Sequence, residues 1–330
     1  MPHEKPASDP LDAATTEMLD RARIVTVDIK GLPALEAARR FRPPLTGRME
    51  SLEPPLRIED RTLPGVHGPT PIRIYWPQGD GPHGAVINIH GGGWVTGSIE
   101  ADHRRSHSLA TLAGVVVITV DYALAPERPF PEPLDDCYTA LRWTAKNAAA
   151  LNIDPERIGL MGASSGANLA LGAALMALDR GEARVALQVL VYPALDPQLA
   201  GSSYEENAGF FTNRTVMQWF WDQYTPDPAD RKGRYVDILR ADLRGLPPTF
   251  IAKAQYDPMR SDGEELASAL RDAGVDTHVR LYPLTHGFMV GATAAHAESK
   301  RALNDVASFV RNRLVESKSG QNPCWTASVE

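Results

Sequence analysis

From about Leu56 onward, short apolar runs alternate with longer stretches in which apolar and polar positions are mixed. The runs predict strands at Leu56–Thr62, Ile72–Trp76, Ala85–Ile89, Val115–Asp121, Arg157–Met161, Leu187–Tyr192, Thr249–Ala254 and Thr277–Leu281. The later runs are continuously apolar, as in parallel strands covered on both faces. The stretches between them predict helices at His103–Ala113, Leu134–Ala149, Asn168–Leu178 and Gly263–Ala273, with a last one near Ala295–Val315. Alternation of this kind predicts an α/β fold built on a doubly wound sheet. Two segments stand outside it. Met1 to Pro55 has helical candidates at Asp9–Asp20 and Pro33–Arg40, and Pro197 to Pro247 carries Phe210, Phe211, Trp219, Phe220, Trp221 and Tyr224. The polar stretch Ser317 to Glu330 reads as a disordered tail.

Composition narrows the function classes. With 330 residues, 43% hydrophobic and 23% charged, the chain can bury one large α/β core and an accessory layer. A formal charge of −7 and a pI near 5.8 argue against a nucleic-acid partner. No apolar run approaches the roughly 20 residues needed to span a bilayer, so no membrane partner is expected. The first residues lack the apolar core of a secretory signal. Cys137 and Cys324 make no disulfide framework, and Cys137 reads as a buried small hydrophobe. A cytoplasmic location follows as the default.

The chemistry is carried by four places. Gly162-Ala163-Ser164-Ser165-Gly166 joins a strand-like run to a small-residue helix, the context of a nucleophile elbow. There the turn is so sharp that only glycine fits on either side of the serine, and the serine is left exposed at the tip. His90-Gly91-Gly92-Gly93-Trp94 follows the strand-like run Ala85–Ile89. Three successive glycines let a loop aim its amides at a developing oxyanion, so Gly92, Gly93 and Ser165 are the candidate donors. A phosphate-binding loop would end in Gly-Lys-Ser/Thr, where Trp94 stands. Asp257 ends a strand and is followed by Pro258, and His286 lies just past the strand that begins at Thr277. The chain order Ser, Asp, His is that of α/β-hydrolases and differs from the trypsin-like and subtilisin-like orders.

Other candidates weigh less. His103 and His107 share a helix face at metal-binding spacing, but Arg104 and Arg105 lie between them, and a solvated face is the expectation. Gly159, Gly162 and Gly166 do not make the dinucleotide fingerprint, which disfavours an oxidoreductase. Asp262, Glu264 and Glu265 read as solvated carboxylates of a helix's first turn. No metal or organic cofactor is implied.

Taken together, these motifs resemble the hormone-sensitive-lipase-like esterases, the bacterial family IV carboxylesterases of the α/β-hydrolase superfamily. The resemblance runs from about Gly84 to Phe288. It includes His90 to Trp94, Asp121-Tyr122-Ala123-Leu124-Ala125-Pro126-Glu127, Gly162 to Gly166, Asp257-Pro258-Met259-Arg260 and His286-Gly287-Phe288. It implies the α/β-hydrolase fold, a mostly parallel eight-stranded sheet with an antiparallel second strand, flanked by helices. It further implies a helical cap formed from residues 1–55 and 197–247 over a core of 56–196 and 248–316. The implied function is hydrolysis of small carboxylic esters of short to medium chain through Ser164, His286 and Asp257, with a homodimer compatible with the family. An amidase, lactonase or carbamate hydrolase could use the same triad, and a non-catalytic receptor of this fold would lack the histidine. The chain departs from the family pattern at Ala163 and Ser165 in the elbow, at Ala123 where arginine is usual, and at Ser261 where an acid is usual. None of these removes a triad member.

Overall fold

A computed structural model describes residues 52–210, 212–289 and 296–316. The helical candidates Asp9–Asp20 and Pro33–Arg40, Phe211, Cys324 and the tail lie outside the described residues. Eight strands form one sheet in the order β1-β2-β4-β3-β5-β6-β7-β8. They are β1 Arg57–Pro64, β2 Pro69–Trp76, β3 His83–Ile89, β4 Val116–Val120, β5 Ile153–Ala163, β6 Leu187–Val191, β7 Thr249–Tyr256 and β8 Thr277–Thr285. β2 pairs antiparallel with both β1 and β4, and every other pairing is parallel.

All eight predicted strands are present, with shifted ends. β5 begins earlier than its apolar run because Ile153 pairs with His83 beyond a register shift in β3, leaving Pro155 and Glu156 exposed. β8 runs on through Pro283, which an edge strand tolerates because it needs no amide on its outer side.

The helices are α1 Ile99–Ala113, α2 Glu132–Lys146, α3 Ser165–Arg180, α4 Ser203–Glu206, α5 Arg214–Tyr224, α6 Arg260–Asp272 and α7 Ala297–Leu314. α1 starts before its apolar pattern because the Ser98 side chain accepts the Ala101 amide, and it ends at Gly114 in the left-handed region. Strand residues divide by their period of two. Ile87, Ile118 and Leu190 pack with α2, α3 and α6 on one face, whereas Val86, Val117 and Val189 pack with α1 and α7 on the other. Both faces are thereby covered, and the central strands need no polar side. α4 and α5 lie in the segment between β6 and β7, and α5 sends Met217, Trp221 and Tyr224 into the first of these cores.

Candidate active site

β5 ends at Ala163 and α3 begins at Ser165, so Ser164 alone makes the turn from strand to helix. Its backbone lies at φ 54° and ψ −123°, a conformation that costs a non-glycine residue about 1–3 kcal/mol. The surroundings hold it there. The Ser164 amide donates to the Val191 carbonyl at 2.9 Å, and its own carbonyl accepts the amides of Ala167 and Ala194 at 2.9 and 3.3 Å. A Cβ at Gly162 would lie 2.1 Å from the Gly166 carbonyl oxygen, and one at Gly166 would lie 2.3 Å from the carbonyl oxygens of Ile89 and His90. The glycines thus allow β5, α3 and the end of β3 to press together. The Ser164 side chain remains at the tip.

His286 directly follows β8 and Asp257 directly follows β7. With Ser164 they meet at the carboxyl ends of parallel strands, where open α/β sheets bind ligands. His286 Nε2 lies 2.9 Å from Ser164 Oγ, and His286 Nδ1 lies 2.9 Å from Asp257 Oδ2. A carboxylate only accepts, so Nδ1 carries the hydrogen and Nε2 is left to accept the serine hydroxyl. The other Asp257 oxygen accepts the Met259 amide at 2.8 Å. Asp257 and His286 are buried, and the His286 ring packs on Tyr192 with centroids 4.6 Å apart.

The glycine loop is built around His90. The His90 ring stacks on Tyr122 at 4.2 Å, and the Tyr122 hydroxyl donates to the His90 carbonyl at 3.0 Å. His90 Nδ1 donates to the Gly91 carbonyl at 2.9 Å, and burial holds the imidazole below its ordinary pKa, hence neutral. The Gly92 carbonyl accepts the amides of Val95 and Thr96 at 3.2 and 3.0 Å. In trans peptides the N–H opposes the preceding C=O, so the amides of Gly92 and Gly93 point away from these partners. Gly92 and Gly93 reach that geometry at φ 126° and 61°. Gly91 sits against the elbow: a Cβ there would meet the Ala163 carbonyl oxygen at 2.9 Å and Ser164 Cβ at 3.3 Å. The Ser165 amide is the first of α3, so helix geometry gives it no partner within α3 and it lies at the positive end of the macrodipole.

Trp94 is fully buried, stacked on Tyr224 at 4.6 Å and beside Trp221 at 4.3 Å, so it fastens the glycine loop to α5. Several other residues sit differently from their sequence reading. His103 and His107 are buried, not solvated: His103 Nδ1 pairs with the Tyr75 hydroxyl at 3.0 Å and His107 Nε2 with the Pro54 carbonyl at 2.9 Å. α1 lies flat on the sheet, which leaves that face no water. Among the described residues, no group of three or more His, Cys, Asp or Glu side chains could hold a metal ion. Asp262 is also buried. Its Oδ2 accepts the amides of Leu195 and Asp196 at 2.8 and 3.0 Å, and burial pushes its pKa up to about 8. Asn207, singled out by no motif, donates to the Asp257 carbonyl at 3.0 Å. Cys137 is buried as read.

A doubly covered sheet with a strained serine at a strand–helix corner defines the α/β-hydrolase class. The chain belongs to the α/β-hydrolase-fold family, whose model matches residues 86–290, within its hormone-sensitive-lipase-like branch. It is 37% identical over 271 residues to the carboxylesterase NlhH of Mycobacterium tuberculosis, covering 79% of this chain and 84% of that protein. It is 33% identical to the ethyl acetate hydrolase of Pseudomonas putida, covering 84% and 90%. Among solved structures, a hyperthermophilic esterase of Pyrobaculum calidifontis superposes with a TM-score of 0.75 at 34% identity, covering 91% and 92%. No helix among the described residues is long and apolar enough to cross a membrane.

Proposed function

We propose that this chain is a serine carboxylesterase that hydrolyses small esters of short to medium acyl chain. The observation that carries the reading is the continuous hydrogen-bonded line Ser164 Oγ, His286 Nε2, His286 Nδ1, Asp257 Oδ2, with both links at 2.9 Å. In this reading His286 takes the Ser164 proton as Oγ attacks the acyl carbon, and Asp257 orients the imidazole and stabilises its charged form. The amides of Gly92, Gly93 and Ser165 hold the oxyanion. The tetrahedral intermediate collapses as His286 protonates the leaving alcohol. Water then adds to the acyl-enzyme with His286 again as base, releasing the acid and restoring Ser164.

Support for a limited acyl length comes from α5. A Cβ at Gly93 would lie 2.3 Å from the Phe220 ring, and Trp219 and Phe220 pack on Val95 and Ala125 beside the glycine loop. The segment between β6 and β7 therefore acts as a cap over the serine and bounds the space around it. The relative named for ethyl acetate points the same way. The test is kcat/KM on p-nitrophenyl esters from acetate to palmitate, with matching anilides, emulsified triolein and a Ser164→Ala control. Rates should rise over the first few carbons, by up to about 0.8 kcal/mol per buried methylene, and then fall. The control should lose about 10³-fold or more in kcat. A maximum at palmitate or a jump at the triolein interface would overturn the chain-length reading, and faster anilide than ester cleavage would make this an amidase.

A further inference from the structure

The loop that carries Asp257 is held from outside by a part of the chain some 50 residues away. Asp257 leaves β7 and is followed by Pro258, which has no amide to give. The turn into α6 is closed locally by the Met259 amide on Asp257 Oδ1 at 2.8 Å and the Arg260 amide on the Asp257 carbonyl at 3.0 Å. Further restraints, from outside the turn, come from α4 and the residue after it. Asn207 Nδ2 donates to the Asp257 carbonyl at 3.0 Å and to the Gln255 carbonyl at 3.4 Å. Ser203 Oγ donates to the Pro258 carbonyl at 2.6 Å and accepts the Ser261 amide at 2.9 Å. Because the Ser203 hydrogen is spent on Pro258, the Ser261 hydroxyl is the donor in the 2.7 Å contact between the two serines, and Ser261 Oγ in turn accepts the Ser203 amide at 3.0 Å. The Tyr204 hydroxyl donates to Asp262 Oδ2 at 3.3 Å.

These contacts form a fitted joint. Ser203, Tyr204 and Asn207 are all buried. Gly201 lies so close that a Cβ there would stand 2.5 Å from Ser261 Cβ. Ser261, one of the departures from the family pattern, is thus the exact mate of Ser203: each gives its amide to the other's hydroxyl. A carboxylate in that place could accept the Ser203 amide but, when ionised, could not donate to Ser203 Oγ.

We propose that α4 and the first turn of α6 form a clasp that positions the Asp257 carboxylate, with Asn207 and Ser203 as positioning residues. The inference rests on the reading of Asp257 as the residue that orients His286. Asp257 Oδ2 meets His286 Nδ1 at 2.9 Å. Without Asn207 the Asp257 carbonyl keeps the Arg260 amide of its own turn but loses its tie to α4, so the turn can shift as a unit and misalign that contact. Loss of alignment lowers the rate of the chemical step and leaves ester binding alone.

A double-mutant cycle in kcat tests this, with Asn207→Ala, Asp257→Asn and the pair, normalised to folded protein. Asn207→Ala should lower kcat about tenfold with KM changed less than about twofold. In the Asp257→Asn background the same substitution should have no further effect, because what it positions is already lost. If Asn207→Ala leaves kcat intact, raises KM instead, or multiplies fully with Asp257→Asn, the clasp does not act through Asp257 and the inference fails. If Asp257→Asn itself leaves kcat intact, the triad reading has failed before the clasp is judged. Should Asn207→Ala not fold, Ser203→Ala enters the same cycle, since it removes one oxygen from a site that keeps its backbone, and the same outcomes decide.

Discussion

The corner that holds Ser164, His286 and Asp257 and the cluster under α1 that holds Asn88, Asp102 and Arg105 are made of the same materials. Both are buried and polar, and both are tied together by side-chain hydrogen bonds. Asn88 Nδ2 donates to Asp102 Oδ2 at 2.9 Å and to Ser106 Oγ at 3.1 Å, Arg105 pairs with Asp102 and donates to Asn88 Oδ1 at 3.2 Å, and Ser106 meets Thr119 at 2.8 Å. What separates them is backbone. Asp102 and Arg105 stand in a regular helix and Asn88 in a regular strand, whereas Ser164 is held at φ 54° between a strand and a helix. Burial and polar clustering do not tell the two apart, and backbone strain at the serine does.

The largest effect that could break this contrast is at Asp257. Asp257→Asn should lower kcat about 10²- to 10⁴-fold, by loss of the group that orients the base, with the fold retained. Asp262→Asn should cost far less, because an amide oxygen can still accept the Leu195 and Asp196 amides. Steady-state kinetics on both variants decides, and a reversed order would mean that the third member of the triad has been misplaced.

Under α1 the expectation inverts. Asp102→Ala leaves Arg105 buried without its partner and should cost about 3–5 kcal/mol of stability, read by urea unfolding. The kcat of the folded fraction should stay within a few-fold. A fall in kcat with stability unchanged would place this cluster in the reaction and erase the distinction.

A pH-dependent effect sharpens the contrast within the Asp257 neighbourhood itself. In the unfolded chain Asp262 ionises near pH 4, while in the fold it keeps its proton up to about pH 8. Over that window the folded state binds one more proton, so stability falls as pH rises, by at most about 1.4 kcal/mol per unit. The contribution is fully present below the unfolded pKa and is gone above the folded one. Thermal midpoints measured from pH 5 to pH 9 should therefore decline more steeply in the native protein than in Asp262→Asn. Parallel curves would show that Asp262 is ionised in the fold.

These contrasts track what could be read along the chain. Gly162, Gly166 and Gly91 to Gly93 were legible because each answers a local demand, a close approach or a positive φ, that only glycine meets without strain. Asp257 and His286 were legible as strand ends in the right order. Asp262, His103 and His107 were misread as solvated because their burial depends on partners far along the chain: Leu195 for Asp262, Tyr75 for His103, Pro54 for His107. α4 and Asn207 left no local signal for the same reason. Asn207 is polar, follows a helix of four residues, and gains its role only where Asp257 is brought beside it.

The central claim is that Ser164, and no neighbour, attacks the acyl carbon. A p-nitrophenyl alkylphosphonate tests it most directly, since attack releases nitrophenol and leaves a stable adduct on the nucleophile. Peptide mass spectrometry should find one adduct per chain, on Ser164, appearing with loss of esterase activity and absent from Ser164→Ala. An adduct on Ser165, or inactivation without an adduct on the elbow, would contradict the account.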